Sequence, residues 1–264
     1  MFYTEETNGI TLYKSSLLND EKLVHCFTTR TGGNTPKPLE SFSMGWAHNP
    51  ELKDYVEDNR KKICKILGME HKNLVIPEQK HTDNIKIITS PDDDVSECDG
   101  LITQNPELVL MLLFADCVPV IIYAPDKHVL SVIHAGWKGT AKSIVKKAVG
   151  LMEEKFGADV KNIQAVIGPA IGKCCYPVST EVADELKSTI NANKENIFTT
   201  NIENDKLIYI DLKKLNGVQL GECGVTYIDK SDNCTKCMNS VFYSYRAEEG
   251  KTGRHAAIAS LKSL

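Results

Sequence analysis

His81, Cys117 and His134 are the residues whose types and placement best suit chemistry. In the stretch 115–139 (ADCVPVIIYAPDKHVLSVIHAGWKG), Cys117 and His134 stand at the ends of two short apolar runs. His81 stands at another strand end, within Glu78-Gln79-Lys80-His81-Thr82. Two imidazoles and one thiolate suit Zn²⁺ with its fourth position open, the pattern of a catalytic site. A zinc held that way would lower the pKa of a bound water to about 7 and create a nucleophile at neutral pH. The separations along the chain match no short metal motif, so the rival reading stays open. Cys117 as a thiol nucleophile with His134 as its base needs no metal. A buried core thiol beside a hydrogen-bonded histidine is the structural alternative.

Other groups offer less. Glu78, Asp99 and Asp116 are acid/base candidates that could equally cap turns. Arg30, followed by Thr31-Gly32-Gly33, combines a guanidinium with exposed backbone N–H groups and could hold phosphate or carboxylate. Cys234-x-x-Cys237 is a lone pair, half a zinc site at best. Cys174-Cys175 could reach a metal or substrate, but adjacent side chains rarely point the same way, so packing is expected for at least one.

These residues need strand ends to hold them. The run 108–114 (LVLMLLF) reads as a fully buried strand leading into Asp116 and Cys117. Segments 120–123 and 129–133 read as strands joined by the turn 124–127. Further strands are expected at 24–29, 74–76, 85–89, 101–103, 163–167 and 207–210, with short segments at 225–228 and 241–245 and a last strand near 256–259. Helices are expected at 51–67, at 143–156 before Gly157, after a cap at Thr180, and from Asp211 through Leu220. Residues 191–204 are polar and read as irregular. No composition break or repeat divides the chain, so one mixed-sheet α/β or α+β domain over 1–264 is expected.

Composition narrows the function. The 264 residues are 42% hydrophobic and 25% charged, with a formal net charge of -4. That mild acidity argues against a nucleic-acid partner, which usually shows as a basic patch. The longest apolar run falls far short of the ~20 residues that span a bilayer, so no membrane partner is expected. The start, MFYTEETNGI, lacks a basic head and an apolar core, so no secretory signal is read and a cytoplasmic enzyme is the expectation. The nine cysteines then read as reduced thiols, ligands or a nucleophile.

Several segments in order resemble the YfiH-like family. They are Gln79-Lys80-His81, Asp99-Gly100-Leu101-Ile102-Thr103, Ala115-Asp116-Cys117-Val118-Pro119, His134-Ala135-Gly136-Trp137-Lys138-Gly139 and Gly168-Pro169-Ala170-Ile171. Flanking matches are Thr28-Thr29-Arg30, Asn59-Arg60, Cys234-Thr235, Phe242-Tyr243-Ser244-Tyr245-Arg246 and Gly253-Arg254. The family was long labelled a multicopper polyphenol oxidase or laccase domain and was later reassigned to purine nucleoside phosphorolysis. The resemblance implies a layered α/β/β/α sandwich with mixed sheets, similar to the catalytic domain of cytotoxic necrotizing factor deamidases. It implies that His81, Cys117 and His134 ligate zinc, with copper the other ion named for the family. It implies phosphorolysis of adenosine, inosine, guanosine and S-methyl-5'-thioadenosine, deamination of adenosine, and a phosphate or substrate contact for Arg30. Purine nucleosides and phosphate are then the expected partners. For deamination, hydroxide on the zinc would attack C6 of adenine, with Glu78 or Asp116 moving protons.

Ser43, Thr82 and Lys138 depart from the family's usual residues, leaving the ligands intact. The oxidase label fits poorly. A laccase needs a blue-copper site and a histidine-rich trinuclear cluster, whereas this chain has seven histidines and no His-x-His pair. Copper found in a preparation would prove little, since Cu²⁺ outcompetes Zn²⁺ at most N/S sites. The alternatives carried forward are a metal-free Cys-His hydrolase or deamidase and a copper-dependent polyphenol oxidase.

Overall fold

The computed structural model describes residues 1–19, 21–47, 49–192, 194, 196–200 and 207–263. The chain opens with β1 (Phe2–Thr7), β2 (Ile10–Ser15) and β3 (Leu23–Thr28), followed by α1 (Lys53–Ile66). Then come β4 (Leu74–Val75), β5 (Ile85–Ile87), β6 (Gly100–Thr103), β7 (Val109–Phe114), β8 (Val118–Ala124) and β9 (Val129–Ala135). The helices α2 (Trp137–Ala141) and α3 (Ile144–Phe156) precede β10 (Gln164–Ile167), β11 (Pro177–Ser179) and α4 (Thr180–Lys187). The rest is β12 (Phe198–Thr200), β13 (Leu207–Ile210), α5 (Leu212–Glu222), β14 (Tyr227–Lys230) and β15 (His255–Leu261).

Two six-stranded mixed sheets form the frame, in the orders β1-β2-β3-β15-β7-β4 and β14-β10-β8-β9-β6-β5. A third, three-stranded sheet runs β11-β13-β12. Every residue of β8, β9 and β15 is buried, yet the two-residue strand period still sorts their side chains. In β8, Ile121 and Tyr123 pack between the two large sheets against Phe27, Leu112 and Ala257. Val120 and Ile122 point the other way, toward Val145, Val149 and Leu215 of α3 and α5. The outer face of the first sheet carries Cys26, Met111 and Ile258, covered by Ile63 of α1 and by Phe42 and Met44 of the loop before it. Helix, sheet, sheet and helix therefore stack in that order, the expected α/β/β/α layering.

Local chemistry fixes the helix ends. Asp211 accepts from Lys214 N at 2.8 Å and caps α5. Ser179, rather than the expected Thr180, caps α4. Gly157, at φ 69°, ends α3. Four features were not foreseen: the β1–β2 hairpin, the short α2 where a glycine-rich turn was expected, the third sheet, and turns at 241–245 in place of a strand. The polar stretch 191–204 lies partly outside the described residues, and it contains β12.

Candidate functional site

The site sits where the chain crosses from one large sheet to the other. β7 belongs to the first sheet and β8 to the second, and Ala115-Asp116-Cys117 makes the crossing with Asp116 at φ 90°. Antiparallel pairing sets Pro119 opposite His134, so the β8–β9 hairpin itself brings Cys117 and His134 to one end of the sheet. His81 arrives on the loop after β4. That loop is fastened to β7 by Gln79, whose side-chain amide donates to Leu113 O (2.9 Å) and accepts from Leu113 N (2.8 Å). His81 holds a left-handed backbone conformation, φ 60°.

Asp99 binds the loop to the hairpin. It is fully buried and accepts from the backbone N–H groups of Lys80, His81 and Thr82 at 3.2, 3.0 and 2.6 Å, and from Thr82 Oγ1 at 2.8 Å. Its Oδ1 also lies 2.8 Å from His134 Nδ1. Burial alone would push this carboxyl up; the bonds from His134 and Thr82 outweigh it and hold the pKa at about 2. The permanent carboxylate keeps the proton on His134 Nδ1 and leaves Nε2 as that ring's free donor.

One donor atom from each of His81, Cys117 and His134 lies within 4.8 Å of the other two. Cys117 Sγ is 3.8 Å from His81 Nε2, and the two imidazoles meet edge to face at 4.8 Å between centroids. With Zn–S near 2.3 Å and Zn–N near 2.0–2.1 Å, a tetrahedral centre sets sulfur and nitrogen about 3.6 Å apart. The donor set fits a zinc ion. Gly136 makes room for it: a Cβ there would come within 3.0 Å of His81 Cδ2 and 3.2 Å of Cys117 Sγ. Without metal, burial pushes the Cys117 thiol up, but the positive charge and hydrogen bond of His134 prevail and bring it to about 6. Burial likewise pushes His134 down, while Cys117 and Asp99 raise it to about 9. These opposed shifts favour a thiolate on Cys117 beside an imidazolium on His134 when no metal is bound.

All three donors open into a cavity of about 850 Å³. Trp46, Tyr176 and Tyr245 supply flat walls, Ile76, Pro77 and Leu113 apolar ones, and Arg60, Arg246 and Arg254 positive charge. Arg60 is committed: Nε and Nη2 donate to Met44 O, and Nη1 pairs with Glu57. Arg246 lies over the Tyr176 ring at 5.1 Å. Arg254 is anchored through Nη1 to the carbonyls of Thr252 and Gly253.

The remaining candidates fall in different places. Glu78 lines the cavity, half exposed and 2.6 Å from Lys80 Nζ. Asp116 is occupied, accepting from Thr235 Oγ1 (2.6 Å) and Arg246 N (2.7 Å). Arg30 is not among the cavity-lining residues; its guanidinium pairs with Glu248 at 2.9 Å, donates to Asn239 O and lies over Tyr243. The cavity's arginines, Arg60, Arg246 and Arg254, stand in the sequence as motif positions without an assigned role. The signal for Arg254 was its place immediately before the last strand, which pairs with β7 beside Cys117.

Residues 24–262 match the family model described as multi-copper polyphenol oxidoreductase laccase. The purine nucleoside phosphorylase YlmD of Bacillus subtilis (strain 168) is 33% identical over 256 residues, covering 92% of this chain and 90% of that one. A protein of the same name from Geobacillus stearothermophilus is 34% identical over 241 residues, covering 87% of each. The crystal structure of YlmD from Geobacillus stearothermophilus superposes with a TM-score of 0.90 at 31% identity, and that of Bacillus licheniformis YfiH with 0.89 at 34%, each covering 99% of both chains. With motifs, fold and family model agreeing along nearly the whole length, the chain belongs to this laccase-like YfiH/YlmD family.

Proposed function

We propose that residues 1–264 form a single catalytic domain that is a zinc-dependent purine nucleoside phosphorylase with adenosine deaminase activity. The observation that carries the reading is one cavity joining a three-donor metal set, aromatic walls and two available arginines. The names of the curated relatives supply the substrate class. Its size lies within the range of small-molecule sites, about 300–1,000 Å³.

His81, Cys117 and His134 would hold the zinc. Bound there, it would supply Lewis-acid polarisation of a substrate atom beside an open fourth position. In phosphorolysis a phosphate oxygen forms a bond to C1′ of the ribose as the C1′–N9 bond breaks, and the purine leaves with the electron pair. Arg246 and Arg254 hold the phosphate, their charge and forked donors matching its oxygens. Tyr176, Tyr245 and Trp46 offer faces for the base, so base and phosphate meet already oriented. Glu78, on the cavity wall and half exposed, exchanges the proton that the leaving purine takes up. Asp116, with both oxygens engaged, positions the chain at Cys117 and Arg246. Arg30 acts as a structural ion pair. In deamination, water adds at C6 of adenine and ammonia leaves.

Incubating purified, zinc-loaded protein with adenosine, with and without phosphate, tests both reactions by chromatography of the products. Adenine and ribose 1-phosphate appear only with phosphate, and inosine appears in both tubes. Unchanged adenosine would overturn the reading.

The Cys117–His134 ion pair favours one second reading, a metal-free thiol hydrolase or deamidase. A chelator that abolishes turnover, restored by zinc, excludes it. Turnover that survives the chelator but not a thiol alkylator supports it. For a copper oxidase, two groups of three or more potential metal donors occur among the described residues, and only one contains histidine.

A further inference from the structure

A second donor cluster lies apart from the cavity. The sulfurs of Cys174, Cys175, Cys234 and Cys237 all lie within 4.8 Å of one another, and none of these residues lines the cavity. Cys237 Sγ stands 3.6 Å from Cys174 Sγ and 3.5 Å from Cys175 Sγ. A disulfide needs about 2.05 Å and joins two sulfurs alone. Here one sulfur is almost equidistant from two others, as around a shared centre. With Zn–S near 2.3 Å, the sulfurs of a tetrahedral tetrathiolate lie about 3.8 Å apart.

The backbone is shaped around the same point. Residues 173–175 form a single 3-10 turn that carries Cys174 and Cys175 to Cys237. Ala170 bridges Cys234 in parallel, and Thr235 N donates to Ala170 O at 3.1 Å, joining the two halves. Gly172 N donates to Cys234 Sγ at 3.1 Å, the outer bond typical of a metal-bound thiolate. A Cβ at Gly172 would stand 3.0 Å from Cys234 Cβ and 3.3 Å from Cys174 Sγ, so glycine there lets the two loops pack closely. Lys213, buried and donating to Asn233 O at 2.6 Å, interacts electrostatically with Cys234.

We propose that Cys174, Cys175, Cys234 and Cys237 hold a structural zinc ion as a closed tetrathiolate centre. Four Zn–S bonds form, the four thiol protons pass to solvent and no electron is transferred. The ion ties the loop that carries Tyr176 to the loop that carries Thr235 and Arg246. Those three residues line the cavity or fasten Asp116 beside Cys117. The centre would therefore brace one wall of the cavity without touching substrate.

The test is metal content, independent of catalysis. Protein purified under reducing conditions without chelator is desalted and its zinc measured by elemental mass spectrometry. About two zinc ions per chain are expected in the wild type. About one should remain in Cys174→Ser/Cys237→Ser, and about one in His81→Ala/Cys117→Ala. Should the first variant fold poorly, cobalt titration of the His81→Ala/Cys117→Ala protein reads the cluster alone. Intense sulfur-to-cobalt charge-transfer bands with tetrahedral visible bands support the proposal. No metal uptake by that protein, or two of the four cysteines recovered as a disulfide after reducing purification, overturns it.

Discussion

Asp99 has no place in the donor set, yet it decides the geometry of two of its members. Asp99→Asn keeps the shape but loses the charge and turns one acceptor into a donor facing backbone N–H groups. Zinc affinity, read by competition with a chromophoric chelator, should fall about 10–100-fold. Arg254 makes a separate prediction. Arg254→Ala should raise the KM for phosphate about tenfold or more, the loss expected for charged hydrogen bonds, with a smaller change in the KM for nucleoside. The triad was legible because each donor stood at a strand end beside polar neighbours. The role of Asp99 was not, because a carboxylate in a turn looks the same whether it is solvated or gathers five donors. The thiol cluster was read as half a site because its two halves lie far apart in the chain and are joined only in the fold, beside the Ala170–Cys234 bridge.

At the scale of elements, Gly168, immediately after β10, lets the second sheet pack against Phe27 of the first. A Cβ on Gly168 would stand 2.3 Å from the Phe27 ring, which is itself buried between the sheets. Gly168→Ala should cost about 1–3 kcal/mol in denaturant unfolding, and adding Phe27→Leu should recover part of it. Strands were legible here from apolar runs and turn residues. The β1–β2 hairpin was not, because its outer strand is polar and half exposed, so no apolar alternation marks it. The 241–245 segment has strand composition, but Tyr243 donates to Leu39 O and Phe242 packs against His255, so tertiary contacts hold it in turns.

At the scale of the whole molecule, one source of acid sensitivity is the buried neutral histidine His25. Burial, with the positive charge of Lys14, lowers His25 from 6.5 to about 4, and its Nε2 accepts from Ser15 N at 3.0 Å. Below pH 6.5 the unfolded chain takes up this proton before the folded one, so stability falls as pH drops from 6.5 toward 4. Between pH 7 and 5, His25 alone should remove about 2 kcal/mol, read from urea midpoints at the two pH values. A stability independent of pH across that range would contradict the neutral, buried histidine.

The order of strands in the first sheet has a consequence for how the protein is made. β15 lies between β3 and β7, pairing with both, although more than a hundred residues separate it from either. A nascent chain emerging from a ribosome has β1 to β14 before it has the strand that completes the sheet. Until residue 261 clears the exit tunnel, β3 and β7 offer open edges and apolar faces, the features that attract chaperones and invite aggregation. The cavity waits as well, since Arg254 and the far side of β7 come into register only with that last strand. Translation stalled before His255 would leave a polypeptide holding His81, Cys117 and His134 and still unable to build the cavity around them.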